Sequence, residues 1–475
     1  MPHFFDLPRE VRDLIYGQYV ISDGGYVLDF ETVANELRTV PFSAITLNFS
    51  TICSEEYRMT AGRFDDLVAQ IHDQLGEKFF SIYPDNLSVP DDVWRELVQD
   101  HPKFAPYIER IKGRTTLWVP NDEGKLRLRD AYRNVSPELN LEALVEVNPD
   151  PWEVPTSKRV EEMAGRIKND DRELKRKRLR DLDQVLFGPR MLDTSLIKYH
   201  YSAAAAAIRF FRSVSKDTRL EIRNVLLKEE RSAVAFPECH GLGLIPFCLE
   251  NPQLRVERRV NIWRAVFPTT LMDLHERRLL YKPTDRTFLQ PMEVSSQVAI
   301  WVQEALELEH AGMPQGSFTL VFDGDSSCSE IFKDIVQRDA AWQQAIDICL
   351  DRSILPPLRW DVRRRDARHE KRGRREDRTE VFRESDNAWY VREGFPKAIN
   401  DIVAGKSIIK CNFWVGDVWD AERLAEENKE WSMQQWKTAW YNQLTTRHFE
   451  PDPPSPGWVQ LLCDDTFETG LPSTE

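Results

Sequence analysis

The stretch AAAAAIRFFRSVSKDTRLEIRNVLLKEE, residues 203–230, decides the fold, together with LRVERRVNIWRAVF at 254–267. Five consecutive alanines before Ile208, Phe210 and Phe211 predict a helix, and Leu220, Ile222, Val225 and Leu226 recur at helical spacing and predict a second one facing inward. SAVAF at 232–236 predicts a short strand. The Asn251-Pro252 pair predicts the cap of a further helix, with Val256, Val260, Trp263 and Phe267 spaced to meet a core.

Outward from this section, SFTLVF at 317–322 predicts a strand, followed by a helix from about Ser329 that carries Ile331, Ile335, Ala341, Trp342 and Ile346. SIIKCNFWV at 407–415 predicts a central strand, and Met433, Trp436, Trp440 and Leu444 form one helical stripe. TTLWVP at 115–120 predicts another strand between helical patterns that hold Leu67, Val68, Ile71 and Leu75, and Val93, Trp94, Leu97 and Val98. The expected class is α+β, helix-dominated, with a few short strands and no internal repeat.

The totals set limits. A chain of 475 residues and 55.5 kDa exceeds the size at which one core usually stops growing. The composition, 41% hydrophobic and 30% charged with 14 Trp and 24 Phe, is that of a globular protein with charged helices. A formal net charge of -14 argues against a general nucleic-acid or anionic-membrane surface. The 7 cysteines are scattered without a CxxC pair, so reduced thiols are expected and a zinc module is not. Asp6, Arg9, Glu10, Arg12 and Asp13 interrupt any secretory apolar run, and no membrane span is expected. The expected location is cytoplasmic or nuclear.

The dense mixed charge of DDRELKRKRLRD, within 121–190, predicts a solvated helix or a mobile excursion, with a nuclear-import signal as the alternative to an exposed charged face. RRRDARHEKRGRREDR at 363–378 has nine basic and four acidic residues and no apolar period, which predicts a linker or extruded loop. Nuclear import is a further expectation for it, whereas the lack of interleaved aromatics argues against nucleic-acid binding. Four segments are expected: a helical unit at 1–65, a body at 66–355, the basic linker or loop at 356–386, and a Trp-rich segment at 387–475 packed on the body.

At the N-terminus, FFDLPREVRDLIYGQYV predicts a helix with Pro8 at its first position, Glu10 favourable to the dipole, and Val11, Leu14, Ile15 and Tyr19 at helical spacing. SDGG at 22–25 ends it, and helices are expected at about Thr32–Thr39 and from about Ser50 to Phe64. The apolar positions Ile52, Tyr57 and Phe64 are sparse, so the unit is expected to lean on something else. Leu7, Pro8, Glu10, Val11, Arg12, Ile15 and Tyr16, then Cys53 and Glu56, resemble the start of the F-box-like proteins of filamentous fungi. The resemblance implies a helical unit that docks on the adaptor subunit of a cullin-type ubiquitin ligase while the rest of the chain holds an unknown protein substrate. Leu7, Pro8, Val11, Leu14, Ile15 and Tyr16 would be the partner-binding residues, with no catalytic residue, metal or cofactor.

Two other functions compete. One is a non-enzymatic interaction scaffold without a ligase. The other is a Mg²⁺-dependent phosphohydrolase: Asp323 and Asp325 follow a predicted strand, as do Asp417 and Asp420, and paired carboxylates there would hold a hard divalent cation. Asp323, Asp325 and Ser327 resemble the first motif of haloacid-dehalogenase-type phosphatases, with Lys406 or Lys410 as the phosphate partner. The simpler expectation for Asp and Gly at a strand end is a turn with a helix cap. His240 beside Cys239 and Glu238 is expected to be a structural loop histidine.

Overall fold

The computed structural model describes residues 46–53, 60–69, 71, 149–166, 197–267, 289, 291–356, 390–392, 394–443, 449, 452 and 458–466. The fold is helix-dominated with one small sheet. Its strands are β1 (Thr46–Ser50), β2 (Asn224–Glu229), β3 (Arg255–Asn261), β4 (Phe318–Asp323) and β5 (Ile409–Cys411). They lie side by side in sequence order and every pairing is parallel. Parallel neighbours need crossover connections, and right-handed crossovers between successive neighbours place their helices on one face of the sheet.

Burial alternates to match. Inward rows run Leu47, Val225, Val256 and Phe318, then Phe49, Leu227, Arg258, Leu320 and Ile409, then Glu229, Val260, Phe322 and Cys411. These meet helices Ala203–Ser213, Pro291–His310, Ser326–Ile331 and Phe395–Val403 in one continuous core. On the outward positions of the same strands Val321 is buried and the others are half-buried or exposed.

Three expectations are corrected at the heart of the chain. NVLLKE and RVERRVN are strands, not helix. Val256 and Val260 stand four apart, a spacing common to a helix face and to alternate strand positions, and the inward residue between them is charged, which hides the alternation. Leu220 is accordingly exposed, while Ile222 and Val225 are buried. SAVAF is no strand, because Ala235 and Phe236 both adopt a left-handed backbone, φ 61 at each. The region from Ser50 to Phe64 is not one helix: β1 ends at Ser50, Ile52 forms an antiparallel bridge to Tyr201, and a helix runs over 60–69.

Elsewhere the expectations hold or shift by little. SFTLVF forms β4, the following helix begins at Ser326 and continues through a π-helical turn, Phe332–Gln337, into Arg338–Asp351. SIIKCNFWV supplies β5, but at the sheet edge and only three residues long. Met433–Asn442 is a helix that begins with a capping box at Ser432 and Gln435. Its Trp436 and Trp440 are buried, with Trp436 edge-on to Trp342 at 5.5 Å, so this part of the Trp-rich segment packs on the body. The expected elements at Thr32–Thr39, 65–118 beyond residue 71, 115–120, 121–148, DDRELKRKRLRD at 170–181 and 363–378, and Leu444, lie outside the described residues.

Candidate functional site

Helix Ala203–Ser213 is apolar all round and wholly internal along its first turns, so its N-terminal N–H groups need partners inside the protein. The Glu229 carboxylate, projecting inward from the end of β2, accepts from Ala203 N at 2.8 Å and Ala204 N at 3.2 Å. Ser202 Oγ accepts from Ala205 N at 2.9 Å. The same hydroxyl lies 2.6 Å from His240 Nδ1, and His240 Nε2 lies 2.7 Å from the Ala235 carbonyl. A carbonyl can only accept, so Nε2 carries the hydrogen and Nδ1 accepts the Ser202 proton. Asp65 closes the strained turn from the other side by accepting from Ala235 N at 2.7 Å. Ser202 and His240 are enclosed, so this serine–histidine pair caps a helix and clamps a turn, in line with the structural role expected of His240.

The two glycines beside that histidine serve close packing. A Cβ on Gly243 would lie 2.6 Å from Ile208 and Trp152, and one on Gly241 would lie 3.0 Å from Leu308. The segment 237–244 thereby presses two helices together.

Glu229 is held by a residue the sequence reading overlooked. Arg258 projects inward from β3 at 1% exposure, with its Nε 2.9 Å from Glu229 Oε1 and its Nη2 2.6 Å from the Pro237 carbonyl. Its guanidinium lies 4.9 Å from the Trp301 ring centroid. A charge so enclosed persists because carbonyl oxygens, a carboxylate and a ring face all meet it. A second enclosed network surrounds Asp339, which accepts from Ser295 Oγ at 2.6 Å, Arg338 Nη2 at 2.7 Å and Trp440 Nε1 at 3.0 Å. Burial pushes the Asp339 carboxyl above the usual range.

The predicted acidic pair is split between two tasks. Asp325 caps helix Ser326–Ile331 with one oxygen, and its other oxygen accepts from Trp263 Nε1 at 3.0 Å and Asp452 N at 2.8 Å. Asp323, on the outward side of β4, accepts from the Asn412 amide. Asp420 caps helix Ala421–Glu427 through Arg423 N at 2.9 Å, and Asp417 is exposed. Lys410 stands outward on β5, and Lys406 lies in the turn before it. Among the described residues no group of three or more His, Cys, Asp or Glu is placed to hold a metal ion. The seven cysteines are free thiols, and burial pushes Cys248 and Cys411 up to about 12.

The outward side of the sheet carries a mostly polar arrangement. One row crosses all five strands as Ser50, Lys228, Arg259, Val321 and Lys410. A neighbouring row runs Asn48, Leu226, Glu257 and Thr319, and Asn261 stands beside Asp323 at the strand ends. Arg259 pairs with Glu257 at 2.6 Å, the two side chains being 43% and 42% exposed. Parallel sheets are ordinarily apolar on both faces, so the polar character of this outward side sets it apart from the inward rows. Beyond its edge, the loop after β5 exposes Trp414 and Val418.

Leu7, Pro8, Val11, Leu14, Ile15 and Tyr16 lie outside the described residues, as does Glu56. Cys53 is half-buried just beyond the bridge that ties Ile52 to Tyr201 of the body. No protein-family model matches the chain, no curated protein is significantly similar to it, and no solved structure matches it. Among the described residues no helix is long and apolar enough to cross a membrane.

Proposed function

We propose that this chain is an F-box-like adaptor of the cytoplasm or nucleus, which couples a protein substrate to a cullin-type ubiquitin ligase. The coupling residues in this reading are Leu7, Pro8, Val11, Leu14, Ile15 and Tyr16, with Cys53 and Glu56 completing the sequence resemblance. The observation that supports the recruiting half is the contrast between the two sides of the sheet: among the described residues the inward rows pack into the main core, while the outward rows carry mostly polar side chains, half-buried or exposed, on which a partner could rest. The segment 46–53 joins that body through β1 and the Ile52–Tyr201 bridge, so a partner of the N-terminal helices would be carried on the same framework as the sheet.

The test is co-purification with the ligase adaptor subunit. A fully buried aliphatic side chain contributes roughly 1.5–3 kcal/mol, so Leu14→Asp with Ile15→Asp is expected to abolish capture of that subunit while the far-ultraviolet spectrum and melting temperature stay as in the parent. Capture unchanged by the double substitution would refute ligase coupling and leave an interaction scaffold.

A further inference from the structure

The outward side of the sheet has a sign. Four of its charged side chains are basic (Lys228, Arg255, Arg259 and Lys410) and two are acidic (Glu257 and Asp323), in a chain whose net charge is -14. Arg255 turns back to the carbonyls of Pro252 and Leu254, and Arg259 is shared between Glu257 and the nearby Asp323. Lys228 and Lys410 have no ion-pair partner among the described residues. They stand in one row on β2 and β5, with Lys228 directly beside Arg259. Like charges side by side on a sheet repel, and Lys228, set beside an Arg259 that Glu257 already partners, keeps its own charge available for an outside anion, as does Lys410.

We infer that the row Ser50, Lys228, Arg259, Val321 and Lys410 is the docking surface for an acidic polypeptide segment. The inference rests on the recruiting half of the proposed function and is independent of ligase docking. Five strands at about 4.8 Å spacing span roughly 19 Å, which an extended peptide covers in about six residues. Lys228 on β2 and Lys410 on β5 stand three strand spacings apart, roughly 14 Å, so carboxylates about four residues apart in such a segment would meet both, with Arg259 and the buried Val321 between them. A nucleic acid fits this surface less well. Glu257 and Asp323 interrupt the positive potential that a continuous phosphate chain requires, and the row offers no aromatic ring for base stacking.

The test is fluorescence anisotropy of the full chain with a labelled Glu/Asp-rich peptide of about twelve residues, long enough to overrun the row on both sides. Binding is expected at low salt, with strong weakening at high salt. Lys228→Glu with Lys410→Glu is expected to lower affinity about tenfold or more, as two lost charge contacts imply. Lys216→Glu, on the exposed helix Lys216–Glu221, is expected to leave it unchanged. The neutral pair Lys228→Gln and Lys410→Gln, expected to weaken binding less, stands in if charge reversal unfolds the protein. Absence of peptide binding, affinity indifferent to both double variants, or tighter binding of a Lys/Arg-rich peptide or of a single-stranded oligonucleotide would each overturn the inference. Because no ligase component is present, failure here is separable from failure of the Leu14 and Ile15 test.

Discussion

Replacing Arg258 by Met would leave Glu229 inside the core without its counter-ion, still accepting from Ala203 and Ala204 at the start of an enclosed helix. Breaking a buried pair in this way costs about 3–5 kcal/mol. Arg258→Met is therefore expected to lower the urea midpoint severely, and adding Glu229→Gln should recover part of the loss. His200 gives a second residue-scale prediction. Burial, with Arg231 the foremost charge beside it, pushes its imidazole down to about 4, and Lys198 and Arg264 act in the same direction against Asp465. The unfolded chain then binds more protons below the ordinary histidine range, so stability is fully present above about pH 6.5 and falls as pH drops towards 4, by roughly 3 kcal/mol in all. Urea titrations across that interval are expected to show a shallower acid slope for His200→Gln. Neither feature was legible in the sequence: Arg258 looks like any other arginine of an ERR run, and its burial follows from which side of a strand it occupies.

At the scale of elements, legibility tracked how far a pattern distinguishes its period. SFTLVF declares a strand because its length and its β-branched and aromatic residues admit little else, and the Ser432 capping box with Trp436 and Trp440 declares a helix. RVERRVN is compatible with both periods, and its neighbours in space, not in sequence, settle it as the middle strand. The Asp323 and Asp325 pair was legible as a turn with a cap. The further donors Trp263 and Asp452, brought in from remote segments, were not. The Ser202 cap belongs to this scale too. Ser202→Ala removes the acceptor for Ala205 N and leaves His240 Nδ1 without its donor, so a loss of about 1–3 kcal/mol is expected in chemical denaturation. A Ser202→Thr variant that retains the hydroxyl should recover most of it.

The whole molecule is organised by strand order. Composition announced a helix-rich chain with few strands, but no local pattern states that five distant segments will align in sequence order, all parallel, with the helices of the main core packed on their inward rows. That order turns scattered Lys228, Arg259 and Lys410 into a single row, and it joins residues 46–50 to the body. Under the proposed function, N-terminal residues would engage a ligase subunit and the sheet face would engage an acidic client. One measurement addresses both ends at once, quantitative affinity capture of the full chain followed by mass spectrometry, with the two double variants run in parallel. Leu14→Asp with Ile15→Asp should lose the ligase adaptor subunit and keep the client, and Lys228→Glu with Lys410→Glu should lose the client and keep the adaptor subunit. Capture of neither class by the parent chain, or identical capture by all three proteins, would contradict the account.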